Sequence, residues 1–370
     1  MPSAKALIGG KNPNLVIFRI LPHMCCRCHC ATSPRAKPAR SRTTTMTILS
    51  RCYRHLRKAD QPYGVVVGNF DGLHLGHQAL LKRCVEKCKQ ANLAPLLMTF
   101  EPHPRSFFQR MAGVESEPFR LTSLRDKLNF LPDLGISNIL AQRFDHHLAT
   151  MQAQEFVEDV LLGTIGAQSI TVGYDFQFGH QRRGHAAMLK NLANKHGVDV
   201  DVIEVQRDEM GVEHASTHIR ELLRAGKMKE AGLLLSRPFQ MSGHVSPGRK
   251  LARQLGYPTA NIHTLRYLIP RHGVYAGHAL LGDEVLPAIA NIGVKPTIDE
   301  DLMPLLEVHL LEGGRDIYQQ RLTFQFEHFL RAEKRFNGID ELSAQMSADV
   351  EKAKHLLDAR ENSCNPAQTG

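Results

Sequence analysis

Two hydrophobic rhythms divide the chain. Between residues 60 and 235, apolar runs at 65–67, 94–100, 139–144, 170–173 and 200–205 have the length and content of buried strands. Residues 123–134, 152–163, 185–197 and 217–225 carry helical spacing, and a helix opening near His77 puts Leu80, Leu81, Cys84 and Val85 on one face. Strands alternating with helices predict an α/β domain with a parallel sheet covered on both faces. From Arg237 to residue 360 the rhythm shortens. Runs at 240–245, 273–279, 306–311 and 322–326, broken by glycines and turns, predict a small antiparallel β-barrel. A helix over 341–357 closes it, with Leu342, Met346, Val350, Ala353 and Leu357 as a stripe expected in the core.

Composition supports two domains, at 60–235 and 237–360, flanked by disordered tails at 1–45 and 361–370. The 370 residues are 42% hydrophobic and 22% charged, as in ordinary globular proteins. The net charge of +9 is misleading, because residues 1–45 hold eight basic residues and no acidic one, which leaves +1 for the remainder. The body therefore lacks the charge of a nucleic-acid-binding surface. No apolar run has the ~18 residues needed to span a membrane. The cysteines cluster at Cys25, Cys26, Cys28 and Cys30 and are otherwise scattered, which is no disulfide framework and points to a reducing, cytoplasmic compartment. The basic leader admits three readings: an organelle transit segment, a zinc site with unusually close ligands, or a segment preceding a true start at Met46. The last is the plainest.

The candidate chemistry begins where the first strand ends. Gly68-Asn69-Phe70-Asp71-Gly72-Leu73-His74-Leu75-Gly76-His77 reads as a strand, a tight turn and a helix N-terminus. That geometry binds phosphate, because free backbone N–H groups and the helix dipole both face the anion. A lone histidine is usually structural. Two at i and i+3 bracketing a glycine lie side by side on the first turn, where each can donate to a phosphate oxygen and stabilise charge growing in a transition state.

The H-x-G-H pair resembles the nucleotidyltransferase superfamily. The wider phrase, with Thr99-Phe100-Glu101-Pro102-His103-Pro104, resembles the prokaryotic bifunctional riboflavin kinase/FAD synthetase family. Gly173-Tyr174-Asp175-Phe176-Gln177-Phe178-Gly179 resembles that family's flavin-side loop, and Ser216-Thr217-His218-Ile219-Arg220 resembles its S-S-T-x-I-R helix start. The resemblance implies a Rossmann-like domain that binds ATP through Gly68, Asn69, Phe70, Asp71, Gly72, His74, His77, Ser216, Thr217 and Arg220. It places the flavin near Pro102, His103, Pro104, Asp175, Phe178 and Arg182. Ser216 and Thr217 are expected to cap their helix. Two positions depart from the family pattern: Ala215 replaces the first Ser, and His185 follows Arg182-Arg183-Gly184 where an Asp is usual.

In the second domain, Gly256-Tyr257-Pro258-Thr259-Ala260-Asn261, Asn291-Ile292-Gly293-Val294-Lys295-Pro296-Thr297 and Glu307-Val308-His309-Leu310 occur in the order and spacing of a riboflavin kinase module. Phe329-Leu330-Arg331-Ala332-Glu333-Lys334-Arg335-Phe336 extends the likeness. It implies Gly248, Arg253, Thr259 and Asn261 around ATP, Thr259 and Asn261 on Mg²⁺, Arg335 on flavin and Glu307 as the base for the ribityl 5′-hydroxyl. Ala252 replaces a frequent family Gly. Alone, Glu307 would read as a salt-bridged strand residue.

The implied chemistry has two steps: ATP phosphorylates riboflavin to FMN, and a second ATP adenylylates FMN to FAD with release of pyrophosphate. The substrates are small molecules, and the chain is expected to act as a monomer or weak homo-oligomer. Three alternatives differ from this reading in what they would make or need. An enzyme with one live activity, given His185 and Ala252, would carry out only one of the two steps. Another adenylyl- or cytidylyltransferase would have no use for a kinase barrel, and a flavin-binding regulator would not consume ATP.

Overall fold

The computed structural model describes residues 15–19, 46–56, 59–114, 117–204, 215–246, 259–263, 267–296, 302–312 and 317–363. Contacts between residues divide the chain into two units, the second holding residues 117–123 and everything from Ala215 onward.

The first unit contains strands β1 (Leu15–Arg19), β2 (Met46–Ser50), β3 (Tyr63–Val67), β4 (Ala94–Glu101), β5 (Asn138–Arg143), β6 (Ala167–Gly173), β7 (Gln177–Phe178), β8 (Gly184–His185) and β9 (Asp199–Ile203). Its helices are α1 (Leu75–Ala91), α2 (Pro104–Met111), α3 (Leu124–Phe130), α4 (His146–Thr150), α5 (Ala153–Glu155) and α6 (Ala186–Asn194). One sheet runs in the order β1-β2-β5-β4-β3-β6-β9. From β2 to β9 every pairing is parallel, and β1 adds antiparallel to β2. The expected parallel sheet is present, and within the segment read as an unstructured tail Leu15–Arg19 is a strand.

Both faces are covered. Val66, Leu97 and Ile139 pack with Leu80, Leu81, Cys84 and Cys88 of α1 on one side. Val65, Leu96 and Ile170 pack with Phe156, Val157 and Leu189 on the other. The helix expected at 123–134 breaks after α3 into a short 3₁₀ turn, Pro132–Leu134, because proline cannot continue the hydrogen-bond ladder. The helix expected at 152–163 continues from α5 as a π-helix, Phe156–Thr164, whose last turn is closed by Ile165 N–H donating to the Val160 carbonyl at 2.9 Å.

Strand order places the ligand end. The chain steps from β3 through β4 toward one edge and from β6 to β9 toward the other, so β3 and β6 flank the topological switch point. In open parallel sheets the crevice beyond the carboxyl ends at that point receives ligands. The turn carrying His74 follows β3, and the loop carrying Asp175 follows β6.

The second unit contains α7 (Ser216–Arg224), α8 (Met228–Leu235), β10 (Phe239–Ser246), β11 (Ala260–His263), β12 (Gly273–Leu281), β13 (Glu284–Pro296), β14 (Leu302–Leu310), β15 (Arg321–Arg331) and α9 (Ile339–Ser363). Its strands close an antiparallel barrel in the order β10-β11-β14-β13-β12-β15, as the alternating runs predict. Met241, Ile262, Tyr275, Leu306, Val308, Phe324 and Phe326 fill it. Ile219, Leu223, Met228, Ala231 and Leu235 join that cluster, so α7 and α8, read from the sequence as the end of the first domain, pack into the core of the second. The outer face carries Val274, Ala276 and Ile289, which α9 covers with Ala353 and Leu357.

Candidate functional site

The turn after β3 is built from the core outward. Gly68 N–H extends the ladder to the Met98 carbonyl at 3.1 Å. Phe70 (φ 49°), Gly72 (φ 90°) and Leu73 (φ 47°) then take left-handed conformations. Glycine adopts these freely, whereas Phe70 and Leu73 are strained by ~1–3 kcal/mol each. Both are only 1% exposed, and burying such side chains contributes ~1.5–3 kcal/mol each, enough to offset the strain. Asp71 is buried in the same turn.

The chain leaves the turn at His74, the N-cap of α1, whose carbonyl accepts from Gln78 N–H at 2.9 Å. The His74 side chain makes no cap hydrogen bond, and no acidic residue lies in the first turn. The positive end of the helix dipole faces the turn, which favours an anion there. The His74 and His77 rings stack at 3.8 Å and 28°, and Phe70 meets His77 edge-on at 5.3 Å. The pair expected from i, i+3 spacing is thus assembled, with Phe70 as its floor. Behind the turn, the Asn69 carbonyl accepts from Thr99 Oγ1 at 3.1 Å and from Lys127 Nζ at 2.6 Å. Sequence reasoning missed Lys127; its signal was a lysine beside the buried Leu128 of α3.

Cys84 and Cys88, on the buried face of α1, lie 4.0 Å apart with both thiols against the Gly64 carbonyl. The hydrogen bond with Cys88, together with burial, holds the Cys84 thiol well above the usual range. Cys52, Cys84 and Cys88 are free thiols.

At the end of β4, Pro102 follows a cis peptide bond, and His103 caps α2 by accepting from Arg105 N–H at 3.1 Å. Pro104 occupies the first helical position, where its missing N–H is harmless. Phe107 and Phe108 form an edge-on cluster with Phe144, and Phe108 remains 51% exposed. These rings were also missed; their signal was the Phe-Phe pair just beyond Pro104.

After β6, Asp175 is exposed while Phe178 is only 7% exposed, seated against Phe156 and stacked on Phe176. Phe178 supports the loop from beneath instead of presenting an open ring face. Arg182 is exposed in a left-handed turn. His185 is the N-cap of α6, with Nδ1 accepting from Met188 N–H at 3.3 Å. It stands at the sequence position where the resemblance has an Asp, a residue that also caps helices well.

The expected caps of α7 are displaced by one position. Ala215 is the N-cap and supplies no side-chain hydrogen bond, so Ser216 and Thr217 fall inside the first turn. Arg220 donates from Nε to the Phe119 carbonyl at 2.9 Å and lies over the Phe119 ring. These residues belong to the second unit, and His74 and His77 to the first.

The barrel carries its own site. Asn261 on β11, Glu307 on β14 and Asn291 on β13 share one rung, with Glu307 opposite both asparagines. Their neighbours Ile262, Leu306 and Ile292 point into the barrel, so the rung presents its polar side chains on the outer face. A cavity of about 380 Å³ opens there, lined at its polar end by Thr259, Asn291, Glu307 and His309. Its apolar wall is Val274, Ile289, Phe336, Leu342 and Met346. The stripe expected wholly in the core therefore divides: Ala353 and Leu357 are buried against the barrel, whereas Leu342 and Met346 line the cavity.

Arg331 forks onto the buried carboxylate of Asp349 with contacts of 2.8 to 3.1 Å, joining β15 to α9 at the cavity wall. This pair was not singled out from the sequence. Gly293 lies against the carboxylate of the exposed Glu333, which packs over it from the end of β15. Arg335 is exposed and outside the lining, which includes Glu333, Lys334 and Phe336 instead. Gly248 and Arg253 lie outside the described residues, as does Ala252.

Comparison with known proteins matches residues 56–218 to an FAD synthetase family model and residues 235–357 to a riboflavin kinase family model. The chain is 38% identical over 311 residues to the bifunctional riboflavin kinase/FMN adenylyltransferase of Escherichia coli (strain K12), covering 84% of this chain and 97% of that protein. It is 32% identical to the protein so described from Bacillus subtilis (strain 168), covering 81% and 94%. A crystal structure from Streptococcus pneumoniae, described as a macrolide-efflux protein, aligns at TM-score 0.72 and 28% identity over 83% of this chain and 98% of that one. Among the described residues no helix is long and apolar enough to cross a membrane.

Proposed function

The chain belongs to the bifunctional riboflavin kinase/FMN adenylyltransferase family, and from that premise we propose how its residues divide the chemistry. It is a transferase with two activities: it phosphorylates riboflavin with ATP to FMN, then adenylylates FMN with ATP to FAD and pyrophosphate.

In the kinase step the riboflavin 5′-hydroxyl attacks the γ-phosphorus of ATP and ADP departs. Glu307 takes the hydroxyl proton, as a general base must. The observation that carries this reading is Glu307 lining the cavity with Thr259 and Asn291, while the buried Asn261 stands opposite Glu307 on the same rung. The flavin ring fits the apolar wall of Val274, Ile289, Leu342 and Met346, with its ribityl chain toward Glu307. Thr259 and Asn261 supply neutral oxygens of the kind that suit Mg²⁺ when phosphates bring the negative charge. Bound there, the ion would neutralise phosphate charge in the transition state.

In the second step an FMN phosphate oxygen attacks the α-phosphorus of ATP and pyrophosphate leaves. The nucleophile is already anionic, so positioning and charge stabilisation suffice. His74, His77 and the first-turn amides of α1 receive the phosphates at the switch point. Pro102, His103, Pro104, Asp175 and Arg182 hold the flavin, with Phe178 beneath its loop. Ser216, Thr217 and Arg220 as phosphate ligands, and Gly248, Arg253 and Arg335 at the kinase site, rest on the resemblance alone. We place the enzyme in the cytoplasm, acting on small molecules as a monomer or weak homo-oligomer.

Incubation with riboflavin, ATP and Mg²⁺, followed by chromatographic separation of the flavins, tests the reading. FMN and FAD are both expected. FMN without FAD would remove the adenylyl-transfer assignment, and flavin binding without ATP consumption would remove both.

A further inference from the structure

Lysine is seldom buried, because its ammonium must be desolvated. Lys127 of α3 is nevertheless only 6% exposed, and its Nζ donates to the Asn69 carbonyl at 2.6 Å. The same carbonyl accepts from Thr99 Oγ1 at the end of β4, at 3.1 Å. Two side chains from different elements thus hold one backbone oxygen.

That oxygen stands at the entrance to the strained segment. Beyond Asn69 the chain passes through the left-handed residues Phe70, Gly72 and Leu73 before releasing His74 into α1. Non-glycine residues remain in such conformations only where their surroundings fix them. Buried side chains fix Phe70 and Leu73 from one side, and the two hydrogen bonds on Asn69 fix the entrance. The stacked His74 and His77 rings sit at the exit, so a shift at Asn69 moves both.

We propose that Lys127 is a positioning residue for adenylyl transfer, clamping the Asn69 carbonyl together with Thr99 so that the turn presents its histidines in register. The inference rests on reading the 68–77 turn as the FMN adenylylation site. Lys127 acts through the turn and touches neither substrate.

The test measures FAD formation from supplied FMN and ATP, and separately FMN formation from riboflavin, in Lys127→Met, Thr99→Val, Thr99→Ser and the Lys127→Met/Thr99→Val double variant. Lys127→Met should lower kcat for FAD formation by about 10²-fold, the effect of roughly ångström misplacement in an active site, with little change in KM for FMN. FMN formation should be unchanged. Thr99→Val should lower kcat less, Thr99→Ser should restore it by keeping the hydroxyl, and the double variant should lose less than the product of the single effects, since both donors share one acceptor. A Lys127→Met kcat close to wild type, a loss confined to KM, or equal activity of Thr99→Val and Thr99→Ser would overturn the clamp. If Lys127→Met does not fold, the Thr99→Val and Thr99→Ser contrast decides. His77→Ala runs alongside. Full FAD formation in that variant would overturn the site assignment itself, whereas its loss with Lys127→Met active would remove only the clamp.

Discussion

Glu307 on β14 faces Asn261 on β11 across one rung of the barrel and Asn291 on β13 across the other side of the same rung. Residues that far apart in sequence meet only because β14 lies between β11 and β13. The arrangement sets an acidic group between two amides beside an apolar cavity, where one carboxylate can accept a proton from a bound alcohol.

Removing that carboxylate should separate the two activities. Glu307→Ala is expected to lower FMN formation by ~10²–10⁴-fold, the usual contribution of a general base, while FAD formation from supplied FMN persists. His77→Ala should do the reverse, lowering FAD formation by ~10²–10³-fold, as loss of a transition-state donor does, while FMN accumulates. Assaying each half-reaction on its own substrate checks both. Loss of both activities in either folded variant would contradict separate sites.

The Arg331–Asp349 pair makes a stability prediction. Asp349 is 5% exposed, and Arg331 forks onto it. Arg331→Met leaves the buried carboxylate without its cation, with only Gln345 Nε2, at 3.0 Å, still donating to it among the described residues. It should destabilise the protein by ~3 kcal/mol, the lower end for a broken buried pair. Adding Asp349→Leu removes the stranded charge and should recover most of that loss, because an apolar pair of similar volume is often as stable as a buried ion pair. Denaturant unfolding of the single and double variants provides the comparison. A single variant as stable as wild type would show that the pair does not hold α9.

Much of this was legible in the chain itself, for identifiable reasons. The run at Val65–Val67 bounded by Gly68 has one physical solution, a buried strand ending in a turn, and the His spacing then follows from helix geometry. The barrel was legible as alternation, and its polar rung only through resemblance, because register across β11, β13 and β14 is a long-range property. Arg331–Asp349 and Lys127 were hidden for the same reason: a charged residue in sequence looks solvated until its distant partner is known. The α9 stripe misled because Leu342 and Met346 continue the spacing of Ala353 and Leu357, yet face a cavity wall and not the packed core. The helix read over 123–134 ran through Pro132, whose missing N–H in a helix interior was the available signal for the break after α3.

Ala215 occupies an N-cap without an acceptor. Its extended backbone, φ −110° and ψ 145°, is the conformation a serine cap uses. Ala215→Ser should therefore stabilise the protein by ~0.5–1 kcal/mol, at the lower end of what N-cap side chains contribute. A rise in the thermal midpoint of unfolding would show it, and an unchanged midpoint would mean that the first-turn amides of α7 already have adequate partners.

His185 presents the complementary case, a departure from the family pattern that caps its helix with its own side chain. Its Nδ1 accepts from Met188 N–H at the start of α6, as a carboxylate would. A carboxylate would also complement the positive end of the helix dipole, which neutral imidazole does not. His185→Asp should therefore raise stability by a few tenths to ~1 kcal/mol, and His185→Ala should lower it by about 0.5–1 kcal/mol through loss of the cap. Because His185 serves α6, FAD formation should stay close to wild type in both variants, with any loss following the fraction folded. Paired denaturation curves and FMN-to-FAD assays distinguish the roles. A large fall in FAD formation at full stability would place His185 in contact with substrate, and equal stability of the Ala and Asp variants would show that the hydrogen bond to Met188 does not hold the helix end.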